Sequence, residues 1–519
     1  MKTERYFYRA LNILLIIVIA VSTAHVFTAY FIDRSLWIDE AMLMKSVLTR
    51  DISEILQGNF DDNQSAPPAY MIVVKVFTIM FGKSTMILRL YSLILYFGSA
   101  FLLYLIARYT AKLKLFLLPV AIIISLYPLE YFAIEAKPYM GDVFFSLLSI
   151  WIYYLYLERR LSFWTIACIM GIAVWFSFGA LFTMGGICAY HFFFNIHNAI
   201  KNNESITNLI SRIIPLIIVG ISAGLYYIFW ALPASKNVPD VSYNNYWTLI
   251  NFPIIPTSID DLRLIKLMVI EFLNHIPVFS WPMLFLGFII YVIINRKSWL
   301  TWSMAIMVLM VLIISGMGIY PISQRLILSQ FVIFMLLSLW GISILIQSIA
   351  KNIFTIPLLI LFIFYPLSLM ITDNFDFRKD KFYRDSQEFR EVYQYVMENK
   401  NPESYVYITP LARPAAQYYT DYIDRNQFQI KNIVEADHYI WGFPFRRVQC
   451  EIPYVYRFTF DNDEMMQNIK AITKHNDVYI IDAHEHKHHQ MLVDGMKELG
   501  MNVDSVYSFH KTFVYHYTK

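Results

Sequence analysis

Apolar runs of about bilayer width recur through the first 371 residues and then stop. At roughly 20 apolar residues per crossing, the pattern predicts about eleven spans. They fall at 11–31, 86–107, 115–132, 139–157, 162–179, 181–197, 211–231, 278–294, 299–316, 326–346 and 353–371. One further run, Ala69 to Phe81, is apolar for only about 13 residues, too few to cross, and reads as an interfacial or re-entrant helix. It closes a connection, 33–85, that begins with Asp39 and Glu40, carries a helical stretch near 51–57 and breaks at Pro67 and Pro68. The pattern predicts a built loop there, not a tether.

After Thr372 short polar and apolar alternations take over. Helical spacing over 382–399 (Phe389, Val392, Val396) is followed by a strand at 404–409, helices at 412–419 and 465–474, a strand at 477–481 and a helix at 490–499 stopped by Gly500. The runs 503–509 and 512–517 read as a closing hairpin. The expected fold is an α-helical polytopic membrane domain over 1–371, followed by a soluble α/β domain over 372–519.

Composition agrees. The chain is 57% hydrophobic and 16% charged, with a mean hydropathy of +0.47, outside the range of soluble domains. A net charge of +3 gives no argument for nucleic acid, and the placement of the basic residues says more. Lys2, Arg5 and Arg9, then Arg108, Lys112 and Lys114, then Arg159 and Arg160, then Lys201 and Arg212, then Arg296 and Lys297, then Lys351 fall on alternate connections. Short loops rich in Lys and Arg stay in the cytoplasm. The N-terminus is then cytoplasmic, while 33–85, 233–277 and the C-terminal domain lie on the outer side of the cytoplasmic membrane. The first run lacks a small-residue cleavage site and reads as a retained span. Cys168, Cys188 and Cys450 offer neither a disulfide framework nor a zinc motif.

Candidate chemistry gathers at the outer ends of spans. Asp39 and Glu40 sit where the chain leaves the first span. A carboxylate near hydrocarbon costs about 2.5–3.5 kcal/mol, which makes the pair a functional candidate against the plainer reading of a water-facing loop. A second cluster, Glu135, Lys137, Tyr139 and Asp142, opens the span at 139–157. With Pro138 in the first helical turn, Tyr139 and Asp142 share a face; the plainer reading is a surface ion pair and a polar cap. Arg325 is an isolated cation before a late span, placed either to bind phosphate or to snorkel to headgroups. Lys83, Arg89, Arg263 and Lys266 are weaker versions of the same idea. The run His484-Glu485-His486-Lys487-His488-His489 invites a metal reading, but it meets no known ligand spacing and reads as a solvated loop.

The ordered set Trp37-Ile38-Asp39-Glu40-Ala41, Gln64-Ser65-Ala66-Pro67-Pro68-Ala69-Tyr70, Phe81-Gly82-Lys83-Ser84 and Leu88-Arg89-Leu90 resembles the first outer loop of GT-C fold glycosyltransferases. The nearest groups are the protein O-mannosyltransferases and the aminoarabinose lipid A transferases with their bacterial relatives. The stretch 135–142 and Gln324-Arg325-Leu326 also resemble their counterparts. The resemblance implies an inverting glycosyltransferase of the membrane's outer face. Such an enzyme takes a sugar from a polyprenyl-phosphate donor to a lipid, glycan or protein acceptor, amid membrane lipids. It implies Asp39, with Glu40, as the catalytic carboxylates. Phosphate contacts are expected from Arg325, Lys83 and Arg89, and substrate or metal contacts from Glu135, Lys137, Tyr139 and Asp142. Some relatives hold a divalent metal and others do not, so the cofactor stays open. The chain departs from the aminoarabinose transferases at Ala66, where they carry Lys, and at Met42, where they carry Arg.

Two other classes compete. A transporter or flippase of lipid-linked glycans predicts ionisable residues deep within spans. A non-catalytic envelope assembly protein predicts that Asp39 is dispensable.

Overall fold

The computed structural model describes residues 2–58, 60, 64–231, 253, 256–349, 365, 367–368, 388–409, 412–419, 439–441, 446–449, 456–459, 470, 474, 476–483, 493–509 and 512–519. Among these, six helices are long and apolar enough to cross a bilayer: Tyr8–Ile32, Thr85–Thr110, Tyr139–Leu157, Val278–Asn295, Trp299–Gly316 and Leu328–Ser348. The bent pair Ile206–Ile213 and Leu216–Trp230 makes a seventh if it counts as one span. Exposed side chains such as Ile13, Ile17, Phe101, Phe193, Ile221, Ile293 and Leu309 clothe the bundle in hydrocarbon. The chain is an α-helical polytopic membrane protein.

In chain order the helices are α1 (Lys2–Ile32), α2 (Ile38–Thr49), α3 (Ile52–Leu56), α4 (Pro68–Phe81), α5 (Thr85–Leu105), α6 (Leu117–Ile124), α7 (Tyr127–Ala133), α8 (Tyr139–Leu157) and α9 (Phe163–Ala173). There follow α10 (Ala180–Lys201), α11 (Ile206–Ile213), α12 (Leu216–Tyr226), α13 (Ile259–Leu273), α14 (Trp281–Asn295), α15 (Trp299–Gly316) and α16 (Leu328–Ile349). Two expected spans are built differently from a single rod. The run 115–132 divides into α6 and α7, because Pro128 at the start of α7 cannot continue the preceding hydrogen-bond ladder. The run 162–179 gives α9 and a short turn to Phe176, apolar but shorter than the long spans. The expected last span, 353–371, lies almost wholly outside the described residues.

Helices that meet in lipid gain little from burying apolar surface, so close backbone approach has to hold them. At the α14–α16 crossing a Cβ on Gly341 would lie 1.8 Å from the Gly287 carbonyl oxygen, and one on Gly287 would lie 2.4 Å from that of Ser338. Only glycine allows this contact.

Among its described residues, the connection between α1 and α5 carries three helices, α2, α3 and α4. Asp51 and Glu54 form a capping box at the start of α3, and α4 opens with Pro68 in its first turn. The α4 helix stops at Gly82, whose φ of 94° suits glycine, and Ser84 then caps α5 by accepting from the Ile87 N–H.

Beyond the bundle, α17 (Phe389–Asn399) and α18 (Arg413–Gln417) accompany the strands β1 (Tyr405–Ile408), β2 (Tyr439–Trp441), β3 (Arg446–Gln449), β4 (Tyr456–Thr459), β5 (Asp477–Ala483), β6 (Asn502–Phe509) and β7 (Thr512–Thr518). One sheet has the order β2-β1-β5-β7-β6, with β2, β1 and β5 parallel and β7 and β6 antiparallel; β3 and β4 pair separately. The expected hairpin is β6–β7, with an irregularity between Val503 and Ser505. The helix expected at 465–474 falls largely, and the histidine run 484–489 wholly, outside the described residues. A shared core joins this domain to the first loop: Phe389, Val392, Tyr393 and Tyr419 pack with Leu36, Leu43, Tyr70 and Met71. Polar bonds reinforce it. Tyr419 Oη accepts from the Leu36 N–H at 3.1 Å, Ser35 Oγ donates to Glu391 at 2.8 Å, Arg390 reaches Asp33 at 3.2 Å, and Tyr418 Oη donates to the Lys83 carbonyl at 2.8 Å.

Candidate functional site

The acidic pair lies in the first turn of α2, where the positive end of the helix dipole favours carboxylates. Being adjacent, the two side chains leave the helix in different directions, and they meet different partners.

Glu40 points inward. It is fully buried, and its carboxylate accepts from Arg89 Nε at 2.9 Å, Arg89 Nη2 at 2.7 Å and the Ala136 N–H at 2.7 Å. Arg89, 2% exposed, donates its remaining bonds to the carbonyls of Arg34 (2.7 Å) and Ser35 (3.1 Å). Burial pushes the Glu40 carboxyl up, but the adjacent Arg89 charge and the bonds it receives outweigh this and leave it below the ordinary range. This pair joins the start of α2, the end of α1, α5 and the 135–138 turn. The polar atoms of the two side chains are taken up by one another and by backbone, so the structure places the expected catalytic Glu40 and phosphate-binding Arg89 in a closed pair.

Asp39 keeps some exposure. Its Oδ2 accepts from Arg325 Nη1 at 2.7 Å, with about a quarter of each side chain open, 23% and 30%. The partners are 286 positions apart, so this bond ties the first loop to the turn before α16. That turn is held by Tyr320 Oη, which donates to the Leu326 carbonyl at 2.9 Å, and by His275, whose Nε2 lies 3.2 Å from the Gln324 carbonyl. The Arg325 guanidinium also lies 6.0 Å from the centre of the Tyr139 ring.

The 135–142 segment divides in the same way. Lys137 is 6% exposed and donates to Gln64 Oε1 at 2.9 Å; burial lowers its ammonium pKa, while the nearby Asp39 carboxylate opposes the shift. Glu135 is 1% exposed and accepts from the Trp37 indole N–H at 2.9 Å. Burial, then the Glu40 charge, push its carboxyl up to about 7. Asp142 points elsewhere. Its Oδ1 accepts from Ser177 Oγ at 2.5 Å and from the Gly179 N–H at 2.9 Å, fixing the turn before α10. The face shared by Tyr139 and Asp142 therefore sends Asp142, expected to contact substrate or metal, to the turn before α10 and not to Asp39.

The remaining expected contacts are dispersed. Lys83 is exposed, with its carbonyl engaged by Tyr418, and Arg263 pairs with Asp260 on the surface of α13 at 2.9 Å. Among the described residues, no group of three or more His, Cys, Asp or Glu side chains is placed to hold a metal ion.

Sequence reasoning passed over two features. Arg34, at the end of α1, is 5% exposed, and its guanidinium lies 4.7 Å from the centre of the Tyr131 ring. His25 of α1 pairs with Glu130 of α7 at 2.7 Å, both buried. Glu130 was visible as an acid inside an apolar run; Arg34 resembled a stop signal at a span's end and gave no separate cue.

No family model matches the chain, and no curated protein matches it by sequence. Among solved structures it is similar to ArnT from Cupriavidus metallidurans in the apo state, at 11% identity over 98% of this chain and 98% of that one, with a TM-score of 0.47. It is likewise similar to the same protein bound to undecaprenyl phosphate, at 11% identity over 97% and 98% of the two chains, with a TM-score of 0.49.

Proposed function

We propose that the chain is an inverting glycosyltransferase of the outer membrane face, taking a sugar from a polyprenyl-phosphate donor to a lipid, glycan or protein acceptor. The observation that carries this reading is the Asp39–Arg325 pair, a partly open carboxylate and guanidinium joined across 286 positions. Lys137 lies close enough to Asp39 for their charges to interact. In the proposed reaction the donor phosphate draws Arg325 and Lys137 to itself. An acceptor hydroxyl released beside Asp39 attacks C1 from the side opposite the phosphate. The new C1–O bond forms as the C1–O–phosphate bond breaks, Asp39 takes the hydroxyl proton, and the two cations stabilise the departing phosphate. No metal is needed for this balance. Lys137 approaches Gln64, two positions before Ala66, and so brings an ammonium near the place where the aminoarabinose transferases carry one in the loop itself. Glu40 and Arg89 serve as the frame that aims Asp39.

One observation favours the transport reading. The His25–Glu130 pair lies about 10 Å inside the end of α1 at 1.5 Å per residue, where ionisable side chains mark ion or substrate paths. A single assay separates the readings. Purified protein in detergent receives a panel of polyprenyl-phosphate monosaccharides and envelope extract, and free polyprenyl phosphate is measured by mass spectrometry, with Asp39→Asn alongside. Release by the wild type that is lost in a folded Asp39→Asn is expected. Release by both removes Asp39 from its role; release by neither moves the assignment to transport or assembly.

A further inference from the structure

Resting on that reading, we propose that Arg34 and Glu135 form a sugar-ring subsite that accepts a hydroxylated monosaccharide and rejects one bearing an ammonium group. Arg34 is 5% exposed, and all three guanidinium nitrogens are buried with no hydrogen-bond partner among the described residues. Glu135 is 1% exposed; Oε1 takes the Trp37 indole N–H, and Oε2 is buried with no partner among the described residues. The two are not in an ion pair, yet they are close enough for the Arg34 charge to oppose the rise in the Glu135 pKa. Leaving a guanidinium and a carboxylate oxygen unbonded in a buried setting is strongly unfavourable. Such a cost is carried at a site where a ligand completes the bonds.

The unfilled valences define that ligand. A guanidinium offers donors, and the second oxygen of Glu135 offers an acceptor. Neighbouring hydroxyls on one sugar ring satisfy both at once, since each hydroxyl donates and accepts. A phosphate would satisfy Arg34 and leave Glu135 facing a like charge, so the donor phosphate belongs with Arg325 and Lys137. The Tyr131 ring lies against the Arg34 guanidinium and the Trp37 indole holds the other Glu135 oxygen, so both groups are fixed in place. An ammonium on the ring could donate to Glu135 but has no lone pair to accept from Arg34, and it would add a positive charge to a setting where Arg34 and Lys137 already act on Glu135. The geometry therefore selects against an amino sugar.

The test uses two matched pairs of donors in full-length protein: polyprenyl-phosphate arabinose against its 4-amino-4-deoxy analogue, and polyprenyl-phosphate mannose against its 4-amino-4-deoxy analogue. Bare polyprenyl phosphate is the reference, and Kd is read by thermophoresis. In at least one pair the hydroxylated lipid is expected to bind about tenfold or more tighter than both the amino analogue and the bare lipid, as one charge-assisted hydrogen bond implies. Arg34→Gln is expected to erase that preference while holding bare polyprenyl phosphate within about twofold of wild type, which also shows that the variant is folded. Arg34→Lys, which keeps the charge and loses the planar fork, is expected to go on rejecting the amine with weaker sugar binding. If Arg34→Gln does not fold, Arg34→Lys and Glu135→Gln carry the same comparison.

Three results overturn the subsite: tighter binding of the amino lipids by the wild type, an equal loss for bare and sugar-bearing lipids in Arg34→Gln, or no sugar lipid binding tighter than the bare one. Failure of the wild type to hold bare polyprenyl phosphate is a different result. It removes the glycosyltransferase reading, and the subsite with it.

Discussion

Glu135→Gln is expected to stabilise the protein at neutral and alkaline pH while impairing its function. The folded carboxyl has its pKa raised from 4.5 to about 7, by burial first and the Glu40 charge second, against the opposing charges of Arg34 and Lys137. Between these two values the unfolded chain has lost the proton and the folded chain has kept it, so stability falls as pH rises through that window. Above about pH 7 the full cost is present; at 1.36 kcal/mol per pKa unit it amounts to about 3 kcal/mol. Glutamine retains a carbonyl for the Trp37 indole N–H and carries no charge, so it escapes the cost. Thermal unfolding in detergent, followed by intrinsic fluorescence near pH 4.5 and near pH 8.5, provides the measurement. The quantity of interest is the change in the variant-minus-wild-type difference between the two pH values, which cancels any pH-independent packing effect. A gain confined to high pH is expected. An equal difference at both pH values, or a loss at high pH, refutes the account of Glu135 as a buried carboxyl held against its charged form.

Breaking the Glu40–Arg89 pair acts oppositely: Glu40→Gln leaves a buried guanidinium facing an amide donor and is expected to cost about 3–5 kcal/mol, read as a lowered melting temperature above pH 5. Since the Glu40 pKa is depressed, the wild-type advantage is present above its unfolded value of 4.5 and lost as pH falls through the lower folded value. Gly341→Ala places a methyl group 1.8 Å from the Gly287 carbonyl oxygen and is expected to separate α14 from α16, seen as loss of the main folded peak in size-exclusion chromatography. Tyr419→Phe removes the acceptor for the Leu36 N–H and is expected to cost about 1–3 kcal/mol, with faster proteolysis of the 33–85 loop under native conditions.

Much of this arrangement was legible in the sequence where one physical signal dominated. Bilayer-length apolar runs announced α1, α5, α8 and α14–α16, and the prolines and glycines of the first loop announced the limits of α4. The Asp39–Arg325 partnership was legible only as two charges at outer span ends, because nothing local encodes a bond across 286 positions. Roles within a cluster were harder. Glu40 and Asp142 look like Asp39 in sequence, yet one is consumed by Arg89 and the other by the turn at Ser177 and Gly179. Helical spacing says which residues share a face; it does not say which neighbour that face will meet. Arg34 shows the converse, a cation that sequence reads as an ordinary boundary residue and that packing encloses.

The brace on the first loop has a consequence for biosynthesis. Ser35 and Asp33 are held by Glu391 and Arg390, residues made more than 350 positions later. When the first loop leaves the ribosome, its partners do not yet exist, and Arg325 of the proposed site follows only after nearly all of the described spans. The loop must therefore wait as an unfinished strand of acidic and apolar residues while the spans insert around it. Its contacts with Arg390 and Glu391 can form only after synthesis has passed residue 391, so the proposed activity would appear late in the life of each chain. Half-made copies would carry the acidic motif without the reaction.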